Sequence, residues 1–396
     1  MGKLYDGINN IYNKRWNFLS NALDGVEILH DRIGCNNMYK RGNLNKIVNS
    51  VELSNEQKKE IDDFYLAHYG KKIPYYWHKI NLAYTGKFDV RYFPDSIFNP
   101  EFERYMDDLW PSYRKVISDK NFLPLITSSA GIRMPQIIIS RTKGIWRDCN
   151  HRFVTEEYAL ESLKNLGKAF LKSVYSSGGY GCQVVDFHNG VDLLSGKTIR
   201  ELVDICGNNF SVQELIKSHS SIRSLYDGSV NTFRVMTYNW RGKIELIPLA
   251  VRIGRGKMGV DNISSGGLVV AVDNDGTFHK TAVSRKNEKF DVHPDSGLVF
   301  NGYKIDKTPQ IIDNCIRLHE MMPQLGIVSW DMTIEENGDP ILIEANCRCE
   351  SIWVPQMVHG VGAFGKNTED ILGWIRQMRK IKPSKRIFYA YGKMKE

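Results

Sequence analysis

The 396-residue chain has no run of the roughly 18 to 20 uncharged apolar residues that a membrane-spanning helix requires. Its opening residues, MGKLYDGINNIYNKRW, lack the apolar centre of a secretory signal. Both absences lead to the expectation of a cytoplasmic protein. Cysteine is sparse: the seven form an odd number scattered without a disulfide framework, as suits a reducing compartment. Cys347 and Cys349 are separated by one residue, but no second Cys or His pair at ligand spacing completes a zinc site. Also missing are a Walker loop, a dinucleotide G-x-G-x-x-G before a helix, and a Ser/His/Asp or Cys/His nucleophile arrangement. No internal repeat or low-complexity linker is present. The net charge of +8 is concentrated: residues 376–396 hold eight Lys/Arg against one acid. The rest of the chain is almost neutral, which argues against a nucleic-acid groove. A solvated tail, or one weakly attracted to an anionic membrane surface, is expected instead.

The most informative stretch is Gly326 to Glu350, GIVSWDMTIEENGDPILIEANCRCE. Two apolar alternating runs, Val328 to Ile334 and Ile341 to Ala345, flank Asn337-Gly338, a strong hairpin signal. A two-residue type I′ loop there sets Asp331 opposite Glu344 on one side of the sheet, with Asn346 on the same side two residues later. Directly opposed carboxylates repel unless a cation lies between them, and Mg²⁺ takes oxygen ligands of this kind together with substrate phosphates. A solvated acidic hairpin face is the alternative. The acids lie inside apolar strands, away from the turn where solvated charge belongs, which favours the metal.

Residues 1–117 read as a mostly helical, aromatic-rich segment. Ser54 with Glu56 predicts a capped helix ending at Gly70, and Pro100 to Val116 a second. The cluster Tyr75, Tyr76, Trp77 and His78 reads as core ahead of a stacking platform. From Asp119 strands alternate with helices. Thr155 is expected as an N-cap, and Ala169 to Tyr175 and Cys182 to Phe187 as strands joined by Ser176-Ser177-Gly178-Gly179-Tyr180-Gly181. Small residues there let backbone N–H groups approach a phosphate, with Lys172 as a nearby cation; a commonplace Gly-rich hairpin loop is the plain alternative. The strand FSVQELI follows, then two antiparallel strands turning at Trp240 to Gly242. Arg234 and Arg252 interrupt apolar runs on these strands, so each needs a carboxylate partner or a bound phosphate. Pro309 to Met322 is an amphipathic helix and Asn367 to Arg379 a final one before the tail.

Taken in order, Asp119-Lys120, Lys172 with its glycine loop, Gln213-Glu214-Leu215-Ile216, Arg234, Arg252, Asn262 with Gly266-Gly267, Asp331, Glu344 and Asn346 resemble the ATP-grasp superfamily. DKNFLPLITSSAGIRMPQ is similar to the opening of the grasp domain in D-alanine:D-alanine ligases and biotin carboxylases. TFRV, AVRIG and DNISSGG follow the order found in ribosomal-protein glutamate ligases. The long lead segment, GKFDVRYFP and SVNTFRV look most like the ATP-grasp proteins associated with sugar transfer in surface-polysaccharide clusters.

The resemblance implies an α+β ATP-grasp fold: a helical N-terminal domain over 1–117, a subdomain over 118–215 with the glycine-rich loop, a metal and catalytic subdomain over 216–375, and a basic tail over 376–396. It implies ATP and Mg²⁺ as cofactors. Lys120, Lys172, Ser177, Gly178, Gly179 and Gly181 would hold the phosphates, and Glu214, Leu215 and Ile216 the adenine. His219 or Ser221 would take the ribose, where the glutamate ligases have an acid near the position of Thr232, and Asn262 would join the nucleotide site. Asp331, Glu344 and Asn346 would hold the metal. Arg234, Arg252 and Arg348 would stabilise transferred charge, the last two standing in for the arginine that related ligases carry where this chain has Ser329-Trp330. The implied reaction is activation of a carboxylate as an acyl phosphate and attack by an amine. Its implied substrates include an amino acid or uronic acid group on a nucleotide- or lipid-linked sugar. A kinase using the same residues, and a non-catalytic nucleotide-binding protein, are the competing readings.

Overall fold

Two antiparallel sheets occupy the middle of the chain, and residues 215–231 pass from one to the other. The structure, a computed structural model, describes residues 22–107, 117, 119, 122–173, 182–256, 259–347 and 352–386. The first sheet contains β1 (Ile137–Thr142), β2 (Ile145–Asp148), β3 (Phe153–Val154), β4 (Gly167–Ser173), β5 (Cys182–His188), β6 (Val191–Asp192) and β7 (Asn209–Glu214), in the order β3-β2-β1-β7-β4-β5-β6. Alternation along β4 and β7 turns Ala169, Leu171, Phe210 and Val212 to one side, under the helices Glu156–Leu163 and Ile199–Cys206. Sequence fixes both helix starts. Thr155 accepts a hydrogen bond from the Tyr158 amide, and Thr198 with Glu201 forms a capping box. Lys172, Ser211 and Gln213 alternate to the opposite side.

The second sheet contains β8 (Thr232–Trp240), β9 (Lys243–Leu246), β10 (Leu249–Ile253), β11 (Leu268–Val272), β12 (Ala282–Ser284), β13 (Lys289–Phe290), β14 (Ile327–Ile334) and β15 (Pro340–Asn346). Its order is β13-β12-β11-β10-β8-β14-β15, with β9 also paired to β8. Helix Thr308–Glu320 shares one core with Val235, Val251, Val270, Trp330 and Met332 on one face of this sheet. Within that core Trp330 Nε1 donates to Thr237 Oγ1 at 2.8 Å. The Thr237 hydroxyl lies 2.8 Å from His319 Nδ1, and His319 Nε2 lies 2.9 Å from the Leu325 carbonyl. Burial pushes the His319 pKa down to about 4. The neutral ring therefore donates from Nε2 and accepts at Nδ1.

Burial also lowers His78 and His359 to about 4. Below their ordinary value of 6.5 the unfolded chain takes up protons that the folded rings refuse, so these groups make stability fall as pH drops from 6.5 to 4. Asp95 acts in the opposite sense. Burial raises it from 3.8 to about 7, so its contribution weakens as pH rises through that interval. Three imidazoles outweigh one carboxyl. The denaturant midpoint, followed by tryptophan fluorescence, is expected to fall on acidification from pH 6.5 to pH 4; a flat profile would show that these rings are hydrated.

The other face of the second sheet is covered from outside the sheets. Met236, Tyr238, Trp240 and Ile327 join Tyr65, Phe93, Phe98, Phe102 and Tyr105 of the lead segment, with Phe364, Leu372 and Trp374 from the C-terminal region. Nearer β11, Ala250, Val269 and Val283 meet Tyr39, Trp77, Ile80 and Val354. The described part of 1–117 thus shares its cores with the second sheet and the C-terminal helices, and does not close one of its own. Its helix Asn55–His68 is capped as expected at Ser54, although the reciprocal partner is Gln57 and not Glu56. The expected helix over Pro100 to Val116 opens as a π-helical turn, Phe98–Glu103, followed by Arg104–Asp107.

The expectation of a free basic tail from residue 376 is corrected by the packing. Arg379 Nε lies 2.7 Å from the buried Glu101 carboxylate, and the buried Arg386 reaches Asp24 at 3.0 Å. Residues 387–396 lie outside the described residues. No helix among the described residues is long and apolar enough to cross a membrane.

Candidate functional site

The β14–β15 hairpin sets Asp331 opposite Glu344, as expected, but by a different route, and it also sets Ser329 opposite Asn346. Glu335 and Asp339 are bonded across a three-residue loop, and Gly338 alone of the loop residues has positive φ, at 87°. A type I′ turn needs positive φ at both central residues, which Asn337 does not supply. The longer loop displaces Met332, Thr333 and Ile334 by one residue, and an irregularity between Asp331 and Met332 restores the offset. Trp330 points to the opposite face and is committed to the core beside His319.

Strand register brings the two interior arginines to the same face. Arg234 on β8 pairs with Asp331 on one side and Ala250 on the other, while Arg252 on β10 pairs with Thr232. Arg234 Nε lies 2.7 Å from Asp331 Oδ1, without hydrogen-bond alignment, and its Nη2 donates to Oδ2 at 3.2 Å. Arg252 Nη2 is 3.0 Å from Asp331 Oδ2, and its Nε is 3.6 Å from Asp261. Thr232 Oγ1 accepts from Arg252 and donates to Asp261. Burial alone would lower the Arg252 pKa, but Asp261, Asp331 and Glu344 outweigh it and keep the guanidinium charged. Burial raises the pKa of Asp261, against the pull of Arg252 and Thr232. The arginines thus find carboxylate partners, one of the two outcomes that an interior arginine permits.

The first sheet supplies the facing wall. Buried Lys172 reaches across to Glu344, with Nζ 3.6 Å from Oε2. A small cavity there is lined by Lys172, Gln213, Met134, Ile343 and Glu344. At the edge where the sheets join, Arg133 makes a two-pronged pair with Glu335, at 2.6 and 2.9 Å, and reaches Glu214 at 2.9 Å. Main-chain bonds from His219 to Ile334, from Glu336 to Lys217 and from Leu342 to Arg133 fasten the same edge.

The remaining sequence candidates are placed less tightly. Leu215 and Ile216 lie half-buried in the linker, just past Glu214. His219 Nδ1 accepts from the Ser221 amide and starts the short helix Ser220–Arg223, so that ring nitrogen is committed to the turn. Asn262 Oδ1 accepts from the Ser264 amide and hydroxyl, which gives it a local structural role. Lys120, Ser177, Gly178, Gly179, Gly181 and Arg348 lie outside the described residues. Sequence reasoning missed Thr232, Asp261 and Arg133. The need of Arg252 for an anion was legible, but nothing local singled out Asp261, nine residues downstream in the glycine-dense loop, as its partner.

The oxygen donors Asp331, Glu344 and Asn346 belong to adjacent strands of one hairpin, and the fully buried Ser329 hydroxyl, opposite Asn346, has no hydrogen-bond partner. An all-oxygen set in which the Ser329 hydroxyl and Asp331 Oδ1 lack hydrogen-bond partners suits a hard cation such as Mg²⁺.

A family model described as sugar-transfer associated ATP-grasp matches residues 99–370, well over half of the chain. The chain belongs to this family. The match to the sugar-transfer associated ATP-grasp model spans every candidate residue from Lys120 to Arg348 and assigns the ATP-grasp fold, α+β with a helical N-terminal region. No curated protein matches the chain. Similar solved structures include a biotin carboxylase–β,γ-ATP complex from Campylobacter jejuni, at 15% identity and TM-score 0.40, covering 66% of this chain and 46% of that one. The VanG D-Ala:D-Ser ligase from Enterococcus faecalis is similar at 13% identity and TM-score 0.40, with 66% and 62% covered. An L-amino acid ligase from Bacillus licheniformis is similar at 13% identity and TM-score 0.36, with 65% and 48% covered. This chain spans less than two thirds of the length of each.

Proposed function

We propose that the chain is a Mg-ATP-dependent ligase that activates a carboxylate as an acyl phosphate and joins it to an amine. The observation that supports this reading most directly is the linked set of charges in the cleft between the sheets: Lys172 on Glu344, Glu344 opposite Asp331, and Asp331 shared by Arg234 and Arg252. In this reading Lys172 would hold a phosphate oxygen, and Asp331, Glu344 and Asn346 would hold the metal. When bound, the metal supplies charge neutralisation along the phosphate chain. Arg234 and Arg252, now shared on Asp331, would find a second anion in a transferred phosphoryl group or an acyl phosphate. Such chemistry depends on positioning and fixed cations, not on a nucleophilic side chain. The family is described as associated with sugar transfer, and on that ground the proposed substrate carries its carboxylate or amine on a sugar precursor, with an amino acid or a uronic acid as the proposed acid partner.

The test is release of ADP and phosphate with pairs of amino acids, uronic acids and amines. A ligase releases both only when acid and amine are present together. Phosphate retained on a product hydroxyl would make the enzyme a kinase, and absence of Mg-dependent ATP binding would reduce it to a relic site.

A further inference from the structure

Thr232 opens β8 directly opposite Arg252 on β10, so the two side chains stand on one face of the sheet. The fully buried Asn231 before it fixes that register: its Nδ2 donates to the Ile222 and Tyr226 carbonyls, and its Oδ1 accepts from the Gly254 amide just past β10. Asp261 is brought in by the loop that follows. The Gly267 amide bonds back to the Asn262 carbonyl at 3.1 Å, and a Cβ at Gly267 would meet the Asp261 and Ile253 carbonyls at 2.5 and 3.0 Å. Only glycine there lets Asp261 lie against the end of β10.

A hydroxyl has one proton to give and two lone pairs to receive with. Arginine only donates, so Thr232 Oγ1 accepts from Arg252 Nε at 3.0 Å and from Nη2 at 2.7 Å, and its own proton goes to Asp261. Arg252 is thereby held along its Nε–Nη2 edge. Its other terminal nitrogen, Nη1, makes no hydrogen bond among the described residues, and the side chain keeps 13% of its surface open. Arg234 is used differently: it turns its Nε and Nη2 to Asp331, at 2.7 and 3.2 Å. Asp331 also lies 3.0 Å from Arg252, yet the proposed function gives that carboxylate to a metal. Thr232 and Asp261 hold Arg252 without it.

We propose that Thr232, oriented by Asp261, is a positioning residue that turns the Nη1 edge of Arg252 to the anion formed in the cleft. This rests on the ligase reading above, in which that anion is a transferred phosphoryl group or an acyl phosphate. The probe is inorganic phosphate, titrated calorimetrically onto the full chain saturated with Mg-ADP, so no acid or amine substrate need be known. Thr232→Val keeps the shape and removes the hydroxyl. It should weaken phosphate binding about tenfold or more, the scale of a hydrogen bond to a charged group, with the affinity for Mg-ADP itself unchanged. Thr232→Ser should restore phosphate binding. Thr232→Cys, with a weak acceptor of similar size, should fall between, and carries the test if Thr232→Val does not fold. Added to Arg252→Lys, Thr232→Val should have no further effect, because a residue that acts through the guanidinium loses its role when the guanidinium is gone. A wild type that takes Mg-ADP but no phosphate, equal phosphate affinity in wild type and the Val or Cys variant, or additive losses in the double variant overturns this proposal and leaves the ligase reading standing. A wild type that binds no Mg-ADP overturns both.

Discussion

Glu344→Ala is expected to lower Mg-dependent ATP binding at least about 100-fold, the upper end of what losing even an outer-shell partner costs a metal site, while the fold survives. The Glu344 side chain is 29% exposed, and its described ion-pair partner is Lys172 at 3.6 Å. Its removal leaves the buried Lys172 without that contact, but the contact is a single long one, so the loss of stability is expected to be smaller than at Asp331. Asp331→Ala should lose binding as well, and stability with it. Asp331 is shared by Arg234 and Arg252, whose side chains are only 16% and 13% exposed. Breaking a buried pair by deleting one partner costs about 3–5 kcal/mol. Titration with a fluorescent ATP analogue with and without Mg²⁺, beside urea unfolding, separates the two variants. Unchanged Mg-dependent binding in Glu344→Ala would remove the metal assignment.

Glu101→Ala is expected to produce the largest loss of stability outside the cleft. Glu101 is fully buried on the π-helical turn and lies against Arg32 at 2.9 Å and Arg379 at 2.7 Å, with the Tyr69 hydroxyl donating to it. It joins helix 22–38, helix Asn55–His68 and the C-terminal region at one point. Its removal leaves two guanidinium groups facing each other in a largely dehydrated position, again about 3–5 kcal/mol. Glu101→Gln keeps the shape and one accepting oxygen but loses the charge and the second acceptor, and should lie between wild type and Glu101→Ala in urea midpoint. Equal midpoints for all three would mean that the arginines find water or other acids.

The site was legible where chemistry constrains a residue irrespective of its neighbours. An arginine inside an apolar strand must meet an anion, so Arg234 and Arg252 announced a charged site before any partner was known. The opposition of Asp331 and Glu344 was also legible, although two departures cancel. The loop is one residue longer than Asn337-Gly338 suggested, and the irregularity beyond Asp331 takes up the difference. Hairpin signals specify that a chain reverses more securely than they specify its count of residues. Asp261 was not legible as the partner of Arg252, because its loop has no periodicity to show which residue turns inward. The aromatic lead segment was readable as core from its density of rings, but nothing local in Met236, Tyr238 or Trp240 says that those rings would pack on β8. That information resides in contacts between residues more than a hundred positions apart.

The edge held by Arg133, Glu214, Glu335 and the adjoining main-chain bonds acts as the spine of a book. The two sheets cannot slide or shear along it without breaking several bonds at once. On the open side, the described charged contact that spans the gap is Lys172 to Glu344. Opening about that spine is the displacement that breaks the fewest of these described bonds. Part of the entropy of bringing the walls together is then spent when the chain folds, and less of it is left for a ligand that enters between them.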